Sequence, residues 1–327
     1  MAREDPETAQ DGRHRTAGRR GHRPPAEGPA DLPRRSWGAV LNRTAKEFQE
    51  DELTDKAAAL TYYGVLALFP ALIAVVSVTR LLGSDAIRSV IDELGGLAPG
   101  PVKSTLTSIL EQVQGSGGAG IALVVGLVLA VWSASGYVAA FMRAGNHVYD
   151  IREGRPFWKT LPIRFFTTVA VLVMLALVAV AVVVSGGVAR TVGDALGLGD
   201  TAVTVWSIAK WPATVLLVGF VFSLLYWAAP NVQRRFRWVT PGGLLAVLIW
   251  IVASVAFAFY VGNFSSYNQT YGSLAGVIVF LIWLWISNIA ILLGLEFNAE
   301  LERERAVETG HPVEEEPYAE PGDTRKM

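Results

Sequence analysis

Residues Leu274–Leu295 form a run of 22 residues without one charged side chain, and Glu296 ends it. At 1.5 Å per residue a helix of that length crosses a hydrocarbon core of about 30 Å. Ser287 and Asn288 lie inside the run. Hydrocarbon offers them no hydrogen-bond partner, so each must find one on protein. The helix that carries them therefore belongs in a bundle rather than alone in lipid.

The rest of the chain repeats the pattern. Of its 327 residues 52% are hydrophobic and 17% charged, which is unusual for soluble domains. Apolar runs at about 57–79, 119–142, 165–185, 212–229, 243–261 and 274–296 predict six transmembrane helices and an all-α polytopic fold. Pro70 lies inside the first run and frees the Leu66 carbonyl, which predicts a kink there. Outside the runs, 23 Lys and Arg fall in the N-terminal segment, the 143–164 and 230–242 connections and the C-terminal segment, against 5 in the others. The positive-inside rule places the first group, with both termini, in the cytoplasm.

Residues 1–35 carry 8 basic and 6 acidic residues and no apolar run, and are expected to be a disordered head. Between Ser36 and Leu53, Trp37, Val40, Leu41, Ala45 and Phe48 recur at helical spacing. That stripe fits an amphipathic helix on the cytoplasmic membrane surface, or one packed under the bundle on protein. The 80–118 loop reads as two short amphipathic helices split by a Gly- and Pro-rich break. The segment 301–327 is acidic and turn-rich, and is expected to be disordered. The membrane domain is thus 36–300. No cysteine is present, which removes disulfides and thiolate chemistry.

Several ordered words carry a resemblance. They are A-A-L-T-Y-Y-x-x-L-A-L-F-P at 58–70, W-S-A-S-G-Y at 132–137, R-P-F-W at 155–158 and P-N-V-x-x-x-x-R-W-x-x-P-G at 230–242. Y-G-S-L-A-G-V, W-x-S-N and G-x-E-x-N-A-E-L follow within 271–301. Over roughly 37–305 the chain resembles the YihY/virulence factor BrkB family of bacterial inner-membrane proteins, some once labelled ribonuclease BN. The resemblance implies a multi-pass protein of the cytoplasmic (inner) membrane.

Residues able to do hydrolytic chemistry are sparse. His14, His22 and His311 lie in the terminal segments, and His147 has no H-x-E, H-E-x-x-H or carboxylate-cluster context. No catalytic residue, metal site, cofactor or nucleic-acid partner is expected, and the ribonuclease label has no visible residues behind it. No G-x-x-x-x-G-K-[ST] word occurs that would bind ATP.

One constellation stands out by depth. Thr61, Tyr62 and Tyr63, then Ser133, Ser135 and Tyr137, then Ser287 and Asn288 all fall about 8–15 Å from the cytoplasmic ends of their runs. Lys56, Arg143, Arg164 and Glu296 fall at the edge below them. The pattern fits a hydrated cavity with a charged cytoplasmic mouth, or interhelical hydrogen bonding in a packed bundle. The basic residues suit a phosphate-bearing headgroup, and equally positive-inside anchoring. The expected function is a transporter or flippase-like protein for an anionic lipid or amphipathic solute. A cation/proton exchanger and a non-transporting scaffold for envelope assembly are the alternatives. Membrane lipids are the expected partners, with a homo-oligomer or an envelope-assembly partner left open.

Overall fold

A computed structural model describes residues 34–82, 119–183, 199–263, 273–312 and 316–327. Among the described residues the fold is all-helical, with one isolated antiparallel bridge between Val232 and Pro321. The seven helices are α1 (Arg34–Glu50), α2 (Leu53–Leu82), α3 (Ala119–Val148), α4 (Phe157–Val183), α5 (Gly199–Ala228), α6 (Pro241–Asn263) and α7 (Ser273–Glu308). Helices α3 to α7 are long and apolar enough to cross a membrane. Helix α2, with 30 residues, matches them in length.

The helices close into a ring. Helix α2 packs most extensively on α3, and α6 on α7, while α7–α2, α3–α4, α4–α5 and α5–α6 complete the circuit. The core sits at the α1 end of the ring. There Tyr137, Phe141 and Tyr226 stack in sequence, with ring centroids 6.5 and 6.2 Å apart, across α3 and α5. Such offset aromatic stacks contribute beyond the area they bury.

Helix α1 packs on protein. Val40 is buried against Phe297 and Leu301 of α7, and Trp37 lies 6.2 Å from the Phe297 ring. Arg43 ties the same face to Glu300 and Glu304, at 2.6 and 2.5 Å. Leu41 points away and stays exposed. The α1, 149–156, 229–240 and C-terminal segments meet at this one end, joined by Asp51–His147, Asn146–Asn231 and Lys159–Asp323 contacts. These are the segments that carry the excess of Lys and Arg.

Two expectations need correction. Pro212 does not begin a helix: α5 starts thirteen residues earlier and runs through it. A long apolar helix can absorb one missing hydrogen bond, and Lys210 on that added stretch is accommodated with its ammonium 5.3 Å from the Trp211 ring. Helix α2 also contains Pro70 within its span. The C-terminal segment is not disordered where it is described. Helix α7 continues to Glu308, and residues 316–327 return to the bundle. Asn231 explains the return. Its Oδ1 accepts from the Asp323 amide, its Nδ2 donates to the Asp323 carbonyl, and its own carbonyl accepts from Gly322. The expected disordered head to residue 33 and the two expected helices of the 80–118 loop lie outside the described residues.

Candidate functional site at one end of the bundle

Polar residues of the bundle form hydrogen-bonded links between helices. Asn288 on α7 is the centre of one link. Its Nδ2 donates to Thr61 Oγ1 on α2 at 3.0 Å, and its Oδ1 accepts from Tyr137 on α3 at 2.9 Å. Thr61 also donates to the Ala57 carbonyl. Asn288 is only 1% exposed. Ser287 accepts from Trp250 of α6 at 3.0 Å, and Ser135 accepts from Arg164 of α4 at 2.7 Å. Tyr63 is half-buried with its ring against Gly136, Ser133 is half-buried, and Tyr62 is 61% exposed. None of these eight residues lines any of the three cavities found at the α1 end. Thr61, Ser135, Tyr137, Ser287 and Asn288 bond across helices, as polar groups in an apolar layer are satisfied by their neighbours.

A cysteine at position 288 tests this arrangement. Asn288→Cys is expected to react with a water-soluble maleimide far more slowly than His147→Cys, exposed at the polar end of α3, because a dry thiol does not ionise. Equal, rapid labelling at both positions in folded protein would show water at Asn288.

The four expected mouth residues also separate. Arg164 turns to Ser135, Lys56 donates to the Asp51 carbonyl, and Arg143 is exposed. Glu296 was expected at a basic rim. It is instead 2% exposed, and its Oε2 has no hydrogen-bond partner. It lines a small cavity of about 30 Å³ with Glu47, Asp51, Asp150 and Glu300. Burial raises the Asp51 carboxyl. Burial, then the Glu316, Asp51 and Glu47 carboxylates, push Asp150 up to about 6.

A larger concave surface is a groove of about 950 Å³ between α4, the end of α5 and the returning C-terminal segment. Ile163, Phe166 and Trp227 contribute apolar lining, and Lys159, Arg235 and Asp323 charged lining. Next to it, Phe220, Trp227, Phe236 and Trp238 form an aromatic cluster with centroids 5.0–5.8 Å apart. Trp158, Phe166 and Trp238 are exposed. Exposed aromatics beside basic side chains are what a membrane–water interface selects.

A polar hub fixes the groove's floor. Arg155 is 7% exposed and donates from Nε and Nη2 to both Glu153 oxygens at 2.8 Å. It also donates to the Ala229 carbonyl, at 2.7 Å, at the C-terminus of α5. Asn146 donates to Glu153 and accepts from the Asn231 amide. Burial works against the Glu153 carboxylate, yet Arg155 and then Asn146 hold it below the ordinary range. Above the hub, Lys159 reaches Asp323 at 2.8 Å. Hydrogen bonds from Arg325 and then Lys159 hold the Asp323 carboxyl well below the usual carboxylate range.

A family model described as Virulence factor BrkB matches residues 44–319, which takes in the polar links and the groove apart from Gly322 and Asp323. The chain belongs to that family. Among BrkB-family relatives, the ribonuclease-like protein YfkH of Bacillus subtilis is 35% identical over 277 residues, covering 84% of this chain and 99% of YfkH. A UPF0761 membrane protein of Alkalilimnicola ehrlichii is 31% identical over 286 residues, covering 81% of this chain and 60% of the relative. One from Azoarcus sp. is 27% identical, covering 81% and 65%. The chain thus spans about two thirds or less of these UPF0761 relatives. No solved structure matches it.

Site residues that sequence reasoning missed include Asn146, Arg155, Lys159, Asn231 and Arg235. Arg155 and Asn231 stood inside the R-P-F-W and P-N-V words. Those words were the available signal, but nothing in the linear order pairs one with the other.

Proposed function

We propose that this BrkB-family chain is a six-span transporter or flippase-like protein of the bacterial inner membrane. It has both termini in the cytoplasm and acts on an anionic lipid or amphipathic solute. The observation that carries this reading is the groove. It combines apolar lining from Ile163, Phe166 and Trp227 with charged lining from Lys159, Arg235 and Asp323. A phospholipid has both characters, with acyl chains for the apolar lining and a phosphate for the cations. Asp323 on Lys159 occupies the position an anionic headgroup would take. Membrane lipids are its partners in this reading, and no enzymatic step or nucleic-acid contact is assigned.

Glu296 favours a second reading, cation/proton exchange. A carboxyl buried among other carboxylates binds a proton or a cation more readily than one in water. A packed bundle without transport, serving as a scaffold, is the reading left if neither activity is found.

One preparation tests all three. Protein is reconstituted into vesicles containing fluorophore-labelled phosphatidylglycerol, and external dithionite bleaches the outer leaflet. Vesicles with protein are expected to lose the inner-leaflet signal as well, and Lys159→Ala is expected to slow that loss severalfold. Retention of the inner signal at the protein-free level would remove lipid movement. The same vesicles, loaded with a pH-sensitive dye and given a sodium or potassium gradient, read exchange. Exchange that persists undiminished in Glu296→Gln would remove Glu296 from it.

A further inference from the structure

A second concave site lies on the other side of the 230–240 connection. It is a cavity of about 250 Å³ between the last turns of α5, the start of α6 and the far end of α7. Its charge is lopsided. Among the described residues, Arg234, Arg235, Arg237 and Arg305 line it together with the carboxylate of Glu302. Glu302 stands 3.6 Å from Arg234. Helix α6 begins at its wall with Pro241, so the positive end of that helix dipole adds to the same potential. The first amides of α6 are already capped. Gly242 donates to Asn298 Oδ1 and Gly243 to Thr240 Oγ1. A ligand here is therefore held by side chains, with the dipole supplying charge alone.

Two donors on the cavity wall lack acceptors. Ser223 is 1% exposed, and its hydroxyl has no hydrogen-bond partner. The Nε of Arg234 is buried without an acceptor, although its Nη atoms reach Tyr149 and the Tyr226 carbonyl. Buried polar groups are nearly always paired, so orphaned donors in the wall of a positive cavity call for an acceptor that carries negative charge. Guanidinium groups and a hydroxyl together match the several oxygens of a phosphate better than the two of a carboxylate.

We infer that this cavity is a binding site for a phosphate group, held by Arg235, Arg237 and the Ser223 hydroxyl between α5, α6 and α7. The phosphate can belong to a small soluble ion or ester from the cytoplasmic side, or to a lipid headgroup, and the chemistry of recognition is the same. The site goes beyond the transport reading and stands whether or not lipid moves. Arg235 touches both cavities, whereas Ser223 and Arg237 line only this one and Lys159 only the groove.

The test is calorimetric titration of the full chain in an uncharged detergent with inorganic phosphate, and in nanodiscs of phosphatidylcholine with or without phosphatidic acid. Saturable phosphate binding is expected. Arg237→Gln is expected to weaken it about tenfold and Ser223→Ala by a smaller factor of about three to ten, in line with loss of a charged and a neutral hydrogen bond. Lys159→Gln should leave it unchanged. A headgroup source is indicated if phosphatidic acid discs, unlike pure phosphatidylcholine discs, suppress the phosphate heat. A soluble source is indicated if they do not. Arg237→Lys, which keeps the charge, serves if Arg237→Gln does not fold. Absence of saturable binding in wild type, in both detergent and phosphatidylcholine discs, overturns the proposal. Binding that Ser223→Ala and the position-237 variant leave intact, or that Lys159→Gln abolishes, also overturns it.

Discussion

Arg155→Ala is expected to destabilise the fold by about 3 kcal/mol, because removing one partner of a buried ion pair leaves the other charge uncompensated. The full penalty for such a cut is larger, but Glu153 keeps a third of its side chain in water and recovers part of its hydration. The loss does not stop at the pair. Arg155 also satisfies the Ala229 carbonyl where α5 ends, and Glu153 in turn holds Asn146, whose Oδ1 accepts the Asn231 amide. Asn231 is what grips the C-terminal segment. One substitution should therefore loosen the α3–α4 connection, the end of α5 and residues 316–327 together. The measurement is unfolding of detergent-solubilised protein followed by tryptophan fluorescence, with trypsin cleavage after Arg325 as a local readout. Arg155→Lys should fall between, since one ammonium cannot reach both carboxylate oxygens and the helix end. Unchanged unfolding in Arg155→Ala would show the hub to be dispensable.

Much of the architecture was legible because lipid and water impose simple rules. An apolar run of 22 residues has few alternatives to a spanning helix, and the excess of Lys and Arg marked the segments that meet at one end. Helix ends were less legible. The fourth apolar run was read from Pro212, yet α5 extends back to Gly199. The polar layer was visible by residue type and depth. What it does depends on the rotation of each helix about its axis. That rotation turns Asn288 onto Thr61 and Tyr137 while leaving Tyr62 outward.

Glu296 shows where linear reading ends. Its own helix offers no clue to its surroundings, since Glu47 and Asp51 arrive from α1 and the turn after it, and Asp150 from the end of α3. The C-terminal segment misled for a related reason. Its acidic, turn-rich composition describes a solvated chain, but three backbone hydrogen bonds to one asparagine are enough to seat it. The chain also crosses Gly154 so closely that a Cβ there would overlap the Asp323 carbonyl.

Gly294→Val is expected to abolish the folded bundle. Helices α6 and α7 cross with Gly242 and Gly294 back to back, and a Cβ on either would collide with the carbonyl of the other. A Cβ at 294 would also stand 2.6 Å from the Tyr226 hydroxyl and 2.7 Å from Ala246. None of these neighbours can yield cheaply. Two are backbone or the methyl of a buried alanine, and the Tyr226 hydroxyl is fixed by its 2.6 Å bond to the Ile291 carbonyl. Overpacking a tight core costs about 1–3 kcal/mol when side chains can shift, and more when backbone must. Here three helices would have to separate, which small residues at a membrane helix crossing exist to prevent. Gly294→Ala should already reduce the yield of monodisperse protein in size-exclusion chromatography, and valine should eliminate it. Two other glycines calibrate the result. Gly64→Ala meets the tip of Leu284 at 3.3 Å and the Tyr137 ring at 4.0 Å, and Gly38→Ala meets nothing within 4 Å. The first should be nearly neutral. The second should stabilise α1 by up to about 1 kcal/mol through helix propensity alone. Wild-type yield from Gly294→Val would mean that α6 and α7 do not cross at these two residues.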